Sequence, residues 1–331
     1  MTISNSNLFK PINIGKKTIS HRIAHLPTTR NRATKDHVPT DLMQKYYTDR
    51  AKTGGLLVTE ATLISLNQGI YPNVPGIWNN RQRDAWKKIT DSVHSVGGFI
   101  SVQLWALGRV GNAKLLKNHG LPLTGVSPIY EHEQAEKDAV KAENPIQELT
   151  QDEIKDIIYN QFANAAKLAD EAGFDFIELH GANVVDHLST IVDPSKLAIR
   201  LSPLNNFQVP GINPTAKEDY SYIIAGLQKR ADEGKGFGYI NVVEGRFSPD
   251  GSTEACDVNF VGDIWKGAFW FGRYFIANPD LPTRIEKDLP LNDYDRSTFY
   301  ANDDYGYNTY PFYGQEIKAD PEHKVFGVAL A

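Results

Sequence analysis

Seven short runs of apolar, β-branched or aromatic residues recur along the chain, each bounded by turn-forming residues: His21–Pro27, Gly55–Thr59, Gly98–Trp105, Phe174–His180, Leu197–Ser202, Gly238–Glu244 and Ala268–Ile276. Most are too continuously apolar to present a face to water. That pattern suits parallel strands covered on both sides. Between them lie segments with helical spacing. The clearest runs from Thr150 to Ala172, where Thr150 and Glu153 form a capping box, Ile154, Ile157, Ile158, Phe162, Ala165, Ala166 and Ala169 share a face, and Gly173 stops the helix. Asp41–Thr53, Arg81–Val96 and Lys217–Asp232 read the same way, whereas Leu121–Asn144 reads as a long loop. Strand and helix alternate throughout, which predicts an α/β fold with a parallel sheet in a single domain spanning residues 1–331.

Composition narrows the function classes. The 331 residues include 35 Lys and Arg against 40 Asp and Glu, a formal charge of −5, which argues against a nucleic-acid binder. The single cysteine, Cys256, excludes an internal disulfide and disfavours a cysteine-based zinc site. No run of 18 apolar residues suggests a membrane span, and the N-terminus does not read as a secretory leader, so a cytoplasmic location is expected.

Polar residues collect at the C-terminal ends of successive strand candidates: Thr28, Thr29 and Arg30, then Glu60, Gln103, His180 with Asn183, Arg200, Glu244 with Arg246, and Arg273. In a (β/α)8 barrel those ends form the catalytic face. Arg200 stands between Ile199 and Leu201, and a guanidinium in such a strand needs a ligand or a structural carboxylate as its partner. Trp105 follows Gln103 by two and shares its side of the strand, which fits a common pocket or a common core layer. The set offers donors and aromatics but no paired catalytic carboxylates. G-x-S-x-G, H-E-x-x-H, a Walker loop and a strand-linked G-x-G-x-x-G are all lacking. Donors with aromatics suit an electron-rich heteroaromatic cofactor with a phosphate tail, so flavin redox chemistry fits better than hydrolysis.

At the level of longer segments, the chain resembles the fungal Old Yellow Enzyme family of FMN-dependent NADPH dehydrogenases, or ene-reductases. The resemblance rests on LFKPINIG, HRIAHLPTTRNRA, YYTDRAKTGGLLVTEATLIS, PNVPGIW, VQLWALGRV, NPIQELTQDEIK, AGFDFIELHGAN, IRLSP, DVNFVGDIWKG, GRYFIANPDLP and DYDRSTFY, in this order from about residue 8 to about residue 310. It implies a (β/α)8 TIM barrel and the cofactors FMN and NADPH. Pro27, Thr29, Ala61, Gln103 and Arg200 would hold the isoalloxazine, and Gly272 and Arg273 the FMN phosphate. His180 and Asn183 would polarise a substrate carbonyl, with Trp105, Phe260, Phe299 and Tyr300 lining the substrate pocket. The implied partners are enones or phenolic ligands, and a homodimer is left open.

Two blocks of the family pattern are missing. One follows Asn183, in the fourth βα loop and helix, where Val185 stands in place of the family's proton-donating tyrosine. The other follows Gly267 and takes the seventh βα unit with part of the phosphate site. At 331 residues the chain exceeds the about 250 that a barrel needs, yet falls roughly 60–70 short of the family. The expectation is therefore an incomplete barrel. A second reading keeps the family sequence with weak or no FMN binding, in a diverged or mis-spliced copy that binds phenolic or steroid-like ligands. A flavin-free aldolase is a third, disfavoured because no strand-end lysine is available for a Schiff base.

Overall fold

The computed structural model describes residues 6–180, 185–203, 215–243, 260–265, 273–317 and 320–331, with the side chains of 185, 186 and 273 outside that description. An antiparallel hairpin, Ile12–Ile14 with Lys17–Ile19, comes first. Six parallel strands follow: β1 (Ala24–His25), β2 (Leu56–Leu63), β3 (Phe99–Trp105), β4 (Phe176–His180), β5 (Leu197–Leu201) and β6 (Tyr239–Val242). Each pairs with its predecessor in the chain, so the sheet runs β6-β5-β4-β3-β2-β1. This is the winding of a TIM barrel, in which each helix carries the chain back to start the next strand alongside the last.

Helices α1 (Asp41–Ala51), α2 (Asn80–Ser95), α3 (Phe162–Glu171) and α4 (Ala216–Asp232) supply four of the crossovers. The segment ahead of α3 begins at the Thr150 capping box, in which the Thr150 N–H donates to the Glu153 carboxylate at 2.7 Å. It reaches α3 through a π-turn at Ile157–Gln161, and Gly173 ends it at φ +86°. The expected loop at Leu121–Asn144 instead contains a helix, Glu133–Lys141. It is capped by His132, whose ring accepts from the Ala135 N–H at 3.0 Å, and Glu133 and Glu136 lie in its positively polarised first turn.

Strand alternation divides the sheet cleanly. Leu57, Ile100, Val102, Leu104, Ile177, Leu179, Ile199 and Ile240 face outward into a core shared with Trp86, Ile89, Phe162, Ala169, Ile224 and Leu227 of the helices. Leu56, Val58, Phe176, Ala198 and Tyr239 face inward and are plugged from below by Ile14 and Ile19 of the hairpin. The hairpin turns at Gly15, φ +52°, where a Cβ would stand 2.3 Å from the Ser195 carbonyl oxygen. Only glycine meets both demands there.

The seventh strand candidate, Ala268–Ile276, requires correction. Its residues 268–272 lie outside the described residues, and Arg273–Ile276 form a 3-10 turn rather than a strand. The cause is a competing donor. The buried Arg50 guanidinium on α1 donates to the carbonyls of Phe275 at 2.9 Å and Ile276 at 2.8 Å. Phe275 packs on Ile23 and Leu281, with its ring 5.5 Å from that of His25 in β1. The chain thus still returns beside the first strand, as closure requires, while six barrel strands are present among the described residues.

Candidate active site

Above the apolar plug the inward-facing positions turn polar. Gln103 on β3 lies opposite Glu178 on β4, and Arg200 on β5 lies between His180 and Asn241 of the flanking strands. The Glu178 carboxylate is fully buried. One oxygen accepts from Gln103 Nε2 at 2.6 Å and from Asn241 Nδ2 at 3.1 Å, and the other accepts from Asn241 at 3.2 Å. Burial raises the Glu178 pKa, opposed first by the charge of Arg200 and then by the amide donors. Below, the Tyr239 hydroxyl donates to Ser101 at 2.8 Å. Burial lowers the Arg200 pKa and Glu178 pushes it back up. Arg200 Nε is buried with no hydrogen-bond partner among the described residues. A buried charged donor left unpaired is costly, which marks this edge of the guanidinium as awaiting an acceptor.

At the mouth, the rings of Trp105 and His180 stand 6.3 Å apart, and the Tyr71 ring lies 5.7 Å from that of Trp105. His180 reaches solvent, but surrounding protein and then the Arg200 charge lower its pKa to about 4. At neutral pH it is an uncharged imidazole with one N–H to donate.

The chain leaving β1 forms a rim of the mouth. Pro27, Thr28 and Thr29 are half-buried, and Thr28 Oγ1 is buried without a partner among the described residues. Next, Glu60 accepts from the backbone N–H groups of Arg30 at 3.0 Å and Asn31 at 3.3 Å, fixing a turn in which Asn31 is left-handed at φ +58°. A register shift between Val58 and Ala61 frees β2 to place Glu60 beneath that turn. Burial raises the Glu60 pKa to about 7. Arg30 and Arg32, both 1 % exposed, reach to the C-terminal segment, where both donate to the Phe299 carbonyl, at 3.1 Å and 2.8 Å. This holds Phe299 against the rim, with its ring 5.4 Å from the Arg30 guanidinium carbon and Tyr300 largely exposed beside it.

Most sequence-nominated residues therefore meet at the C-terminal ends of the strands: Pro27, Thr29, Ala61 (opposite Gln103), Gln103, Trp105, His180, Arg200, Phe299 and Tyr300. Phe260 does not join them and is corrected. It is buried in the sheet–helix core, with Lys217 of α4 5.9 Å from its ring centroid. An apolar ring opening the Phe260–Ile264 helix gains more from that core than from a polar mouth. Asn183 and Gly272 lie outside the described residues, as does the side chain of Arg273. Glu178 and Asn241 were missed, although alternation from His180 through Glu178 to Phe176 put a carboxylate on the inward face.

These residues fit the isoalloxazine end of a flavin. A Gln103 amide whose nitrogen is engaged by Glu178 keeps its oxygen to accept from a ring N–H, and Arg200 Nε has a donor to give to a ring acceptor. Comparison with known proteins decides the matter. Residues 7–186 match the NADH:flavin oxidoreductase / NADH oxidase family. The chain is 38 % identical to a probable NADPH dehydrogenase of Candida albicans, over 99 % of this chain and 95 % of that one. It is also 32 % identical to enoate reductase 1 of Kluyveromyces lactis, over 95 % and 96 %. Its fold superposes on Old Yellow Enzyme from Pichia sp. AKU4542 with a TM-score of 0.91, at 34 % identity over 99 % of this chain and 100 % of the other. The chain belongs to the Old Yellow Enzyme family. It is accordingly a TIM-barrel flavin oxidoreductase, with FMN as prosthetic group and NADPH as reductant. As an Old Yellow Enzyme it is short. The Candida alignment extends over 395 positions against 331 residues here, leaving at least 64 of those positions opposite gaps. Among the described residues, no helix is long and apolar enough to cross a membrane.

Proposed function

We propose that the chain reduces the activated C=C bond of α,β-unsaturated carbonyl compounds. The observation that carries this reading is His180 beside Trp105, opposite Arg200 on the neighbouring strand and one inward-facing position beyond the Gln103–Glu178 pair, with its pKa lowered to about 4. When bound, FMN supplies two-electron hydride chemistry between NADPH and substrate. Gln103, Arg200, Thr29 and the backbone at Pro27 and Ala61 hold and orient the ring system. Arg200 places a positive charge where negative charge grows on reduction. Gly272 and Arg273 take the phosphate. His180, with Asn183, donates to the substrate carbonyl oxygen, drawing electrons from the double bond so that its β-carbon accepts hydride. Trp105, Phe299 and Tyr300 line the space above. The α-carbon takes its proton from water, because Val185 occupies the place where the family carries tyrosine and has no proton to give.

The visible spectrum of the purified protein tests this directly. A stoichiometric flavin band, bleached by NADPH without oxygen and restored by 2-cyclohexen-1-one, is the expected result. A colourless protein that cannot be loaded with FMN would defeat it. That outcome, together with retained phenol binding, would favour the ligand-binding reading to which the shortened chain gives weight.

A further inference from the structure

We propose that Glu178 is a positioning residue for flavin binding: its buried carboxylate decides which end of the Gln103 amide is presented to the cofactor and supplies the negative charge against which Arg200 acts. The inference rests on the flavin-site reading above and goes beyond it, since Glu178 itself lies below the mouth.

The argument begins with hydrogen-bond roles. A carboxylate only accepts, whereas a primary amide has a donating and an accepting end. Gln103 Nε2, 2.6 Å from Glu178 Oε1, is therefore the end turned toward the carboxylate. Asn241 Nδ2 on β6 is committed to the same group from across β5. Three strands thus converge on one buried anion, and Gln103 has a single low-energy orientation. The same anion offsets the Arg200 cation on the neighbouring strand, whose Nε has no partner among the described residues. A carboxylate serving only the fold would need neither arrangement, because apolar residues of similar size fill buried sites at no electrostatic cost.

Two variants separate the roles. Glu178→Gln puts amide hydrogens toward the Gln103 and Asn241 amides. Gln103 then turns its oxygen inward and offers N–H toward the flavin, so FMN should dissociate about tenfold more readily, as for one misdirected hydrogen bond. Removing the negative charge leaves Arg200 uncompensated, so the reduced, more anionic flavin should be favoured about tenfold, which for a two-electron couple is about 30 mV upward. Glu178→Asp keeps the charge but withdraws it by one methylene, and should weaken FMN binding while leaving the midpoint potential near that of the unmodified protein. The measurements are FMN titration of the apoprotein by fluorescence and spectroelectrochemistry of the holoprotein, with circular dichroism as the folding control. A folded Glu178→Gln protein with unchanged FMN affinity, or with an unchanged or lowered potential, overturns the proposal. So does failure of both variants to fold, which would make Glu178 a determinant of the fold alone. If the unmodified chain binds no FMN, the site reading fails first and this proposal falls with it.

Discussion

Replacing Arg32 with lysine should destabilise the folded chain by about 2–4 kcal/mol, although charge and approximate length are kept. Arg32 is 1 % exposed, and each of its five N–H donors meets a backbone carbonyl. Nε donates to Asp303 at 2.8 Å. One terminal nitrogen donates to Phe299 at 2.8 Å and also to Arg30. The other donates to Thr298 at 2.9 Å and Tyr305 at 3.2 Å. The guanidinium carbon also lies 4.7 Å from the Tyr307 ring centroid. Burial, and next the charge of Arg30, lower the Arg32 pKa to about 10, so the group remains a cation at neutral pH. An ammonium has three donors and no plane. At least two buried carbonyls would therefore lose their partner, at about 1–2 kcal/mol each. The assay is urea unfolding at pH 7, reading the midpoint at constant m-value. Limited proteolysis between residues 298 and 307 should quicken in parallel, because that segment is what Arg32 ties to the rim. Stability within about 0.5 kcal/mol of the parent would refute the claim that the five-donor fork holds this segment.

Three further outcomes follow from the site. Glu60 has its pKa raised to about 7 from an ordinary 4.5, so the folded state holds its proton where the unfolded state has lost it. Its contribution is fully present below pH 4.5 and is lost as pH rises toward 7, a change of about 3 kcal/mol. Subtracting the Glu60→Gln stability profile from the parent should reveal that fall, and a flat difference would show that Glu60 is not buried as an acid. His180, with its pKa lowered to about 4, is neutral across the working range. Phenol binding to the holoprotein, followed by the flavin spectrum, should hold steady from pH 5 to 7.5 and weaken about tenfold in His180→Leu, as for a lost hydrogen bond. A binding transition centred near 6.5 would instead indicate an ordinary imidazole. Arg200→Met removes the cation of the polar layer and should lower both FMN affinity and the flavin midpoint potential; an unchanged potential would place Arg200 outside the cofactor's field.

What could be read from the sequence divides by the kind of information each feature needs. Strands β1 to β6 were legible because burial on both faces removes polar residues from whole runs. The Thr150–Glu153 capping box was legible because its partners are three residues apart. The shared face of Gln103 and Trp105 followed from alternation alone. Glu178 was not singled out, because its meaning depends on Gln103 and Asn241, which lie 75 and 63 residues away. Arg30 and Arg32 were opaque for a stronger reason. Most of their acceptors are main-chain carbonyls 266 to 276 residues distant, and a carbonyl leaves no mark in the residue sequence. The turn at Arg273–Ile276 was misread as strand because Arg50 captures carbonyls that a ladder would otherwise use.

The positions of the two gaps bear on which half of the chemistry this chain keeps. Gln103, Glu178, His180, Arg200 and Asn241 sit on β3, β4, β5 and β6, neighbours in one continuous sheet, and all precede the gap after Gly267. The rim built by Glu60, Arg30 and Arg32 is held by β2 and by the segment 298–306, which lies beyond the gap and is anchored back across it by buried guanidinium groups. Arg50 anchors Phe275 and Ile276 in the same manner. The barrel is thus drawn together at the start of the chain by arginine–carbonyl contacts, which do not require a seventh strand. By the resemblance read from the sequence, the gap after Gly267 would fall on the phosphate end of the cofactor site, and the gap after Asn183 would remove the family's proton donor. The polar layer at the strand ends, proposed to meet the isoalloxazine, would be spared by both. On the proposed reading, a chain shortened in this way should lose grip on its cofactor before it loses the means to polarise a carbonyl beside it.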